Sequence, residues 1–251
     1  MNLNIESPAI FVDNFIQPLS RITDGGILKI EQSKMTSLIS SGDGTIIVYG
    51  EYTQNFPEVT EPLSLNIPDM KKLHKLLNLI EGPMTIVVDK KSNNSFIEYS
   101  SDAVRFKYHL YEDGIIKMPS LNMSKLKTID FDTHFTISAS KLVNLIKGSN
   151  MNQDANKVTK MYVTFAGNKV HGEITDKARH NVDSYATLIS ESVTGTQLNT
   201  SIPINFEIIR LLSSSKISEF KVKLATKLNV FNFELITEKV SLNYIVSALI
   251  N

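Results

Sequence analysis

One pattern recurs four times along this chain and limits its fold more than any other feature. A brief extended stretch leads into a short amphipathic helix, and about three strands follow. The helical segments read SPAIFVDNFIQ at 7–17, PDMKKLHKLLNLI at 68–80, SASKLVNLIKGSN at 138–150 and PINFEIIRLLSSS at 203–215. The extended stretches before them are residues 2–6, Leu63–Ile67, His134–Ile137 and Thr200–Ile202. Strands are expected at Ile27–Ile30, Met35–Ser40 and Thr45–Tyr52, then at Met84–Asp89, Ser95–Ser100 and Val104–Leu110. The second half repeats the pattern at Lys160–Phe165, Lys169–Thr175 and Ser184–Ile189, and at Glu219–Thr226, Val230–Thr237 and Val240–Ala248. In VRFKYHL, Val104, Phe106, Tyr108 and Leu110 alternate with Arg105, Lys107 and His109, the period-2 signature of a half-buried strand. Ser41-Gly42-Asp43-Gly44 and Ala166-Gly167-Asn168-Lys169 supply hairpin turns.

A chain of 251 residues with 42% hydrophobic content suffices for two domains of ordinary size, so the four β-α-β-β-β units pair into two α+β domains. The joint falls in YEDGIIKMPSLNMSKLKTIDFD at 111–132, which lacks a clear period and holds Gly114 and Pro119. This places an N-terminal domain at 1–112, a connector at 113–130 and a C-terminal domain at 131–251.

Each helix has an apolar stripe. The first packs Ala9, Val12, Phe15 and Ile16, and Pro18 is expected to stop or kink it. The second buries Met70, Leu73, Leu76, Leu77 and Ile80, with Pro68 in its first turn. The third has Ser138 as N-cap, a face of Ala139, Leu142, Val143 and Ile146, and Gly148 as its end. The fourth carries Phe206, Ile208, Ile209 and Leu212. Net charge is zero, with 26 basic and 26 acidic residues, so only the placement of charge is informative. Opposite the apolar stripes stand Lys71, Lys72 and Lys75 on the second helix and Lys141 and Lys147 on the third, with no acid among them. The fourth offers Arg210 beside Glu207. The first offers Asp13, Asn14 and Gln17, with only Arg21 beyond Pro18.

Several function classes fall away. Without cysteine there is no disulfide, thiolate nucleophile or cysteine-bound zinc. The five histidines show no metal-ligand spacing, Gly42-Asp43-Gly44 precedes no GK[ST], and no GxSxG occurs. No catalytic residue, metal site or cofactor is expected. The N-terminus MNLNIESPAIFVDNF has no signal-peptide pattern, and no apolar run reaches the ~18 residues of a membrane span. The expectation is a cytoplasmic protein without a membrane role.

The tandem organisation resembles the DNA sliding clamps, the processivity factors of replicative polymerases. FVDNFIQPLSRITDGGILKI at the start and FTISASKLVNLIKGSNMNQDANKVTKMYVTFAGNKVHGEITD in the middle are similar to the two domain openings of tailed-phage clamps. The ending INFEIIRLLSSSKISEFKVKL…FNFELITEKVSLNYIVSAL resembles the closing pattern of phage and PCNA-type clamps. The resemblance implies a homotrimeric ring with helices lining the hole and sheets outside. It implies sequence-independent contact with double-stranded DNA through Lys71, Lys72, Lys75, Lys141, Lys147, Arg210 and Arg21. The implied protein partners are a DNA polymerase, a clamp loader and phage late transcription factors. Their peptides would enter a pocket between the connector (Ile115, Met118) and the chain end (Ala248, Ile250). The alternative is a sheet-rich viral structural or protein-binding module with no DNA role.

Overall fold

The computed structural model describes residues 1–89, 95–119, 128–150, 158–175, 177, 182–214 and 218–249. The chain divides into two compact units. Unit 1 comprises Met1–Gly42, Ile47–Ser120 and Ile236–Leu242, and unit 2 comprises Asp43–Ile46, Leu121–Leu235 and Asn243–Asn251.

In unit 1, β1 (Asn2–Ile5), β6 (Met84–Asp89), β7 (Phe96–Ser100) and β8 (Arg105–His109) form an antiparallel sheet in the order β1-β6-β7-β8. A second antiparallel series runs β4-β3-β2-β5, from β4 (Ile46–Thr53) through β3 (Lys34–Ser40) and β2 (Gly26–Glu31) to β5 (Leu63–Ile67). Alternation drives these strands: β6 buries Met84, Ile86 and Val88 while Thr85 and Val87 point outward.

The first helix, α1, consists of Pro8–Ile10, a π-helical turn Phe11–Ile16 and Gln17–Ser20. It therefore runs through Pro18 rather than stopping there. In a regular α-helix the ring would clash with the carbonyl four residues back and leave that group unpaired. The π turn widens the helix just before the proline, with the Gln17 N–H reaching the Val12 carbonyl. The wider spacing buries Phe11, Val12, Phe15, Ile16 and Leu19, while Ala9, expected in the core, is exposed. Phe11 meets Tyr52 of β4 edge-on, with ring centroids 5.1 Å apart. Gly50 lies under Phe15 and Leu19, where a Cβ would come within 3.1 Å of Phe15. The buried Gln54 stitches this layer: its Oε1 accepts from Tyr52 Oη and the Glu6 N–H, and its Nε2 donates to the Asn4 carbonyl.

Helix α2 (Met70–Leu77) packs on α1. Its N-cap is Asp69, whose carboxylate accepts from the Lys72 N–H at 2.8 Å. Pro68 consequently stands just outside the helix. Met70, Leu73 and Leu77 are buried, whereas Leu76 and Ile80, expected with them, are half-buried.

In unit 2, β12 (Tyr185–Ser190), β11 (Lys169–Ile174), β10 (Lys160–Ala166) and β14 (Ile202–Asn205) form one antiparallel sheet in that order. A second series runs β13-β9-β15-β16: β13 (Val193–Gly195), β9 (Thr133–Ser138), β15 (Glu219–Ala225) and β16 (Val230–Ile236). The last strand, β17 (Val240–Ser247), begins in unit 1 and ends in unit 2. Strand β13 is an addition to the expected set.

Helices α3 (Ala139–Ser149) and α4 (Glu207–Ser213) pack together. In α4 the expected Phe206, Ile208, Ile209 and Leu212 are all fully buried, joined by Leu211. In α3 the buried face is Leu142, Leu145, Gly148 and Ser149, while Val143 is exposed and Ala139 and Ile146 are half-buried. The face is turned relative to the expected one because β11 offers a seat for Leu145: a Cβ on Gly172 would sit 3.0 Å from that leucine. Gly148 does not end the helix. It lies inside it against Tyr185, where a Cβ would fall 2.1 Å from Cε1 of the ring. Gly148→Ala therefore sets a helix-propensity gain of up to ~1 kcal/mol against overpacking of ~1–3 kcal/mol. Overpacking wins, and the urea midpoint of Gly148→Ala should fall by the equivalent of about 1–2 kcal/mol. Gly148→Ala/Tyr185→Ala should recover part of the loss relative to Tyr185→Ala alone. A midpoint raised by the single change would contradict this packing.

Candidate nucleic-acid interface

Burial of Met70, Leu73 and Leu77 leaves Lys71, Lys72 and Lys75 exposed on the other side of α2. Lys71 is not free: its Nζ bonds Asp24 Oδ1 at 2.9 Å, and that carboxylate raises the lysine pKa. Lys72 and Lys75 make no ion pair with other described residues. Arg21 is exposed at the end of α1. His74, between these lysines, is half-buried, and burial lowers its pKa, with Asp13 and Arg21 acting in opposite senses around it. The ring lies 2.8 Å from Asn78 Nδ2.

In unit 2, Lys147 is exposed near the end of α3, where a cation also complements the helix dipole. Lys141 is half-buried and lies 3.6 Å from Glu191, in the turn between β12 and β13. Arg210 is committed: it pairs with Glu207 at 3.0 Å, donates to the Val158 carbonyl and lies 4.8 Å from the centroid of Phe206. The cations thus fall into two classes. Lys72, Lys75, Lys147 and Arg21 point to solvent, and Lys71, Lys141 and Arg210 have carboxylate partners.

Of the expected partner-peptide residues, Ile115 and Met118 belong to unit 1 and Ala248 to unit 2. Ile115 is 56% exposed, and Met118 lines a cavity of about 70 Å³ in unit 1 with Ile116, Pro119, Gly25, Ile27 and Leu38. Ala248 is half-buried in unit 2, its N–H donating to the Asn229 carbonyl. Ile250 and the connector residues 120–127 lie outside the described residues. The start of the connector is anchored: buried Asn66 donates from Nδ2 to Asp113 at 2.7 Å and to the Tyr111 carbonyl, and its own carbonyl accepts the Tyr111 N–H at 2.9 Å.

Among the described residues β1 and β8 end one four-stranded sheet, and β12 and β14 end the other. Edge protection is visible on β8, where Arg105 pairs with Glu98 at 3.1 Å and Lys107 caps the Phe96 ring at 3.6 Å. Among the described residues no cluster of His, Cys, Asp or Glu could hold a metal, and no helix is long and apolar enough to cross a membrane.

No protein-family model matches the sequence, and no curated protein matches it. Solved structures do. PCNA from Entamoeba histolytica superposes with a TM-score of 0.73 at 13% identity, over 99% of this chain and 98% of that one. A. fulgidus PCNA, solved with the C-terminal region of FEN-1 bound, gives 0.74 at 11% identity over 100% and 98%. PCNA from Thermococcus kodakaraensis gives 0.72 at 13% identity over 99% of both chains. The fold is that of the PCNA sliding clamps.

Within this PCNA-like fold the edge strand β8 is tied to the basic helix α2. Tyr108 Oη donates to the Asp69 carbonyl at 2.7 Å and accepts from the Asp69 N–H at 2.8 Å, locking the residue that caps the helix. Burial pushes the Tyr108 phenol up to about 12, because the phenolate would lose its solvation there. A raised folded-state pKa means the neutral hydroxyl stabilises the fold fully below the unfolded value near 10, and that stability is lost as pH rises toward 12. Tyr108→Phe should cost about 1–3 kcal/mol at neutral pH by stranding the Asp69 N–H, while the Asp69 carbonyl keeps the Leu73 N–H at 3.0 Å. The difference between wild type and variant should shrink between pH 10 and 12. A difference independent of pH in that window would show that the hydroxyl is not the titrating contact.

Proposed function

We propose that the protein is a DNA sliding clamp: a ring of three copies that encircles duplex DNA and tethers a DNA polymerase for processive synthesis. The observation that carries this reading is the match to PCNA structures over essentially the whole length of both chains. The domain plan of the proposal is 1–112, a connector 113–130, and 131–251. The ring would close by pairing β8 of one copy with β12 of the next, a heterologous contact that repeats until it closes. Both strands end a sheet among the described residues, which supports this. The protein would act as a non-enzymatic scaffold without cofactor.

DNA would be met by Lys72, Lys75, Lys147 and Arg21, with Lys71, Lys141 and Arg210 in reserve. Lysine suits a sliding contact, being a flexible hydrated point charge rather than a fork that grips phosphate bidentately. Polymerase, clamp loader and a late transcription factor would dock short peptides at the connector cavity, with Met118 in its wall and Ile115 exposed nearby. The likeness of the two domain openings to tailed-phage clamps supports a phage protein working in the host cytoplasm.

Solution mass tests the ring. At micromolar concentration the mass should be three times the 28.1 kDa of the chain. Ile115→Ser/Met118→Ser should keep that mass while weakening stimulation of the cognate polymerase several-fold. A stable monomer would remove the ring, and unchanged stimulation would move the pocket elsewhere.

A further inference from the structure

The lysine faces carry no acid of their own, yet two of their members are paired. The acids come from outside the helices. Asp24 belongs to the loop between α1 and β2, and its backbone carbonyl accepts the Met70 N–H at 2.5 Å. That bond fixes Asp24 at the first turn of α2 and holds its carboxylate 2.9 Å from Lys71 Nζ. In unit 2, Glu191 sits in a turn closed by Ser190 Oγ donating to the Ser192 carbonyl at 2.9 Å, which sets its carboxylate 3.6 Å from Lys141. Neither pair shapes the fold. Lys71 and Asp24 are 60% and 82% exposed, and exposed pairs contribute little to stability. Each unit nonetheless places one anchored acid on one helix lysine and leaves a neighbouring lysine open.

We propose that Asp24 and Glu191 are built-in counter-ions that compete with DNA phosphate for Lys71 and Lys141. They would hold the clamp's affinity for duplex DNA below what its lysines alone would give. The inference rests on the clamp reading above. A phosphate that reaches Lys71 or Lys141 competes with a carboxylate already in place, whereas Lys72, Lys75 and Lys147 make no ion pair with another described residue. Such a lysine adds little net attraction and releases few counterions on contact. A weak and even contact along the backbone is what movement on DNA requires, since each step must break its ion pairs. The acids are therefore positioning residues for the DNA contact.

The test compares the full-length wild type, Asp24→Asn/Glu191→Gln, and a charge-matched control, Glu61→Gln/Glu238→Gln, in binding to a linear duplex across a salt series. Glu61 and Glu238 are exposed and pair with none of these helix lysines. The counter-ion variant should bind about two- to fivefold more tightly at low salt, and its log K against log salt plot should steepen by about 0.9 for each lysine released. The control should keep the wild-type slope. Equal effects of the two doubles, or none from Asp24→Asn/Glu191→Gln while the wild type binds DNA in a salt-dependent way, overturn the inference alone. If no form binds the linear duplex even at low salt, there is no lysine contact for the acids to temper and the inference is overturned, while the clamp reading, which rests on encircling DNA and is tested by the solution mass, still stands.

Discussion

The arrangement of charge depends on one constraint: the helices are too short to exist without the sheets. Helix α2 has eight residues, fewer than the ~12–15 that make an isolated helix even marginal in water. Its helicity therefore comes from burying Met70, Leu73 and Leu77 and from the Asp69 cap. Once those side chains face inward, the 3.6-residue period leaves Lys71, Lys72 and Lys75 no other direction than outward. The same reasoning holds for α3, where Leu142 and Leu145 set the orientation of Lys147. Electrostatics does not shape these faces. Packing does, and the lysines follow.

Packing also links the surfaces that the proposed function uses. Tyr108 belongs to an edge strand and holds the residue that caps α2, so the proposed subunit contact and the basic face share one hydrogen-bonded hinge in unit 1. Gln54 and Asn66 do comparable work for β1 and for the start of the connector. These side chains are buried and satisfied, which is the condition under which polar groups stabilise rather than weaken a core.

Nearly all strands were legible in the sequence, because period-2 alternation is direct evidence of a half-buried sheet. Met84–Asp89 is such a case, while Val193–Gly195, at three residues, is too short to show a period. The helices were legible as elements but not in detail. Pro18 does not end the first helix because a π turn, which no residue pattern announces, precedes it. In α3 the face expected around Val143 gives way to one around Leu145, because a glycine on another strand, Gly172, makes room for that leucine. Gly148 looked like a helix end because glycine commonly is one; its reason is the Tyr185 ring. The lysines of the candidate site could be read from the helices that carry them. Their partners Asp24 and Glu191 could not, since they lie dozens of residues away and only the fold brings them close.

The central claim is that the protein holds DNA by encircling it rather than by affinity. Its most direct measurement is retention on nicked circular DNA after loading, followed through a high-salt wash and then linearisation of the DNA. A topological tether survives the wash, because screening weakens phosphate contacts without opening a ring, and is lost when free ends appear. The account predicts retention on the circle at high salt and release on cutting. Release by salt alone, with cutting making no difference, would contradict it.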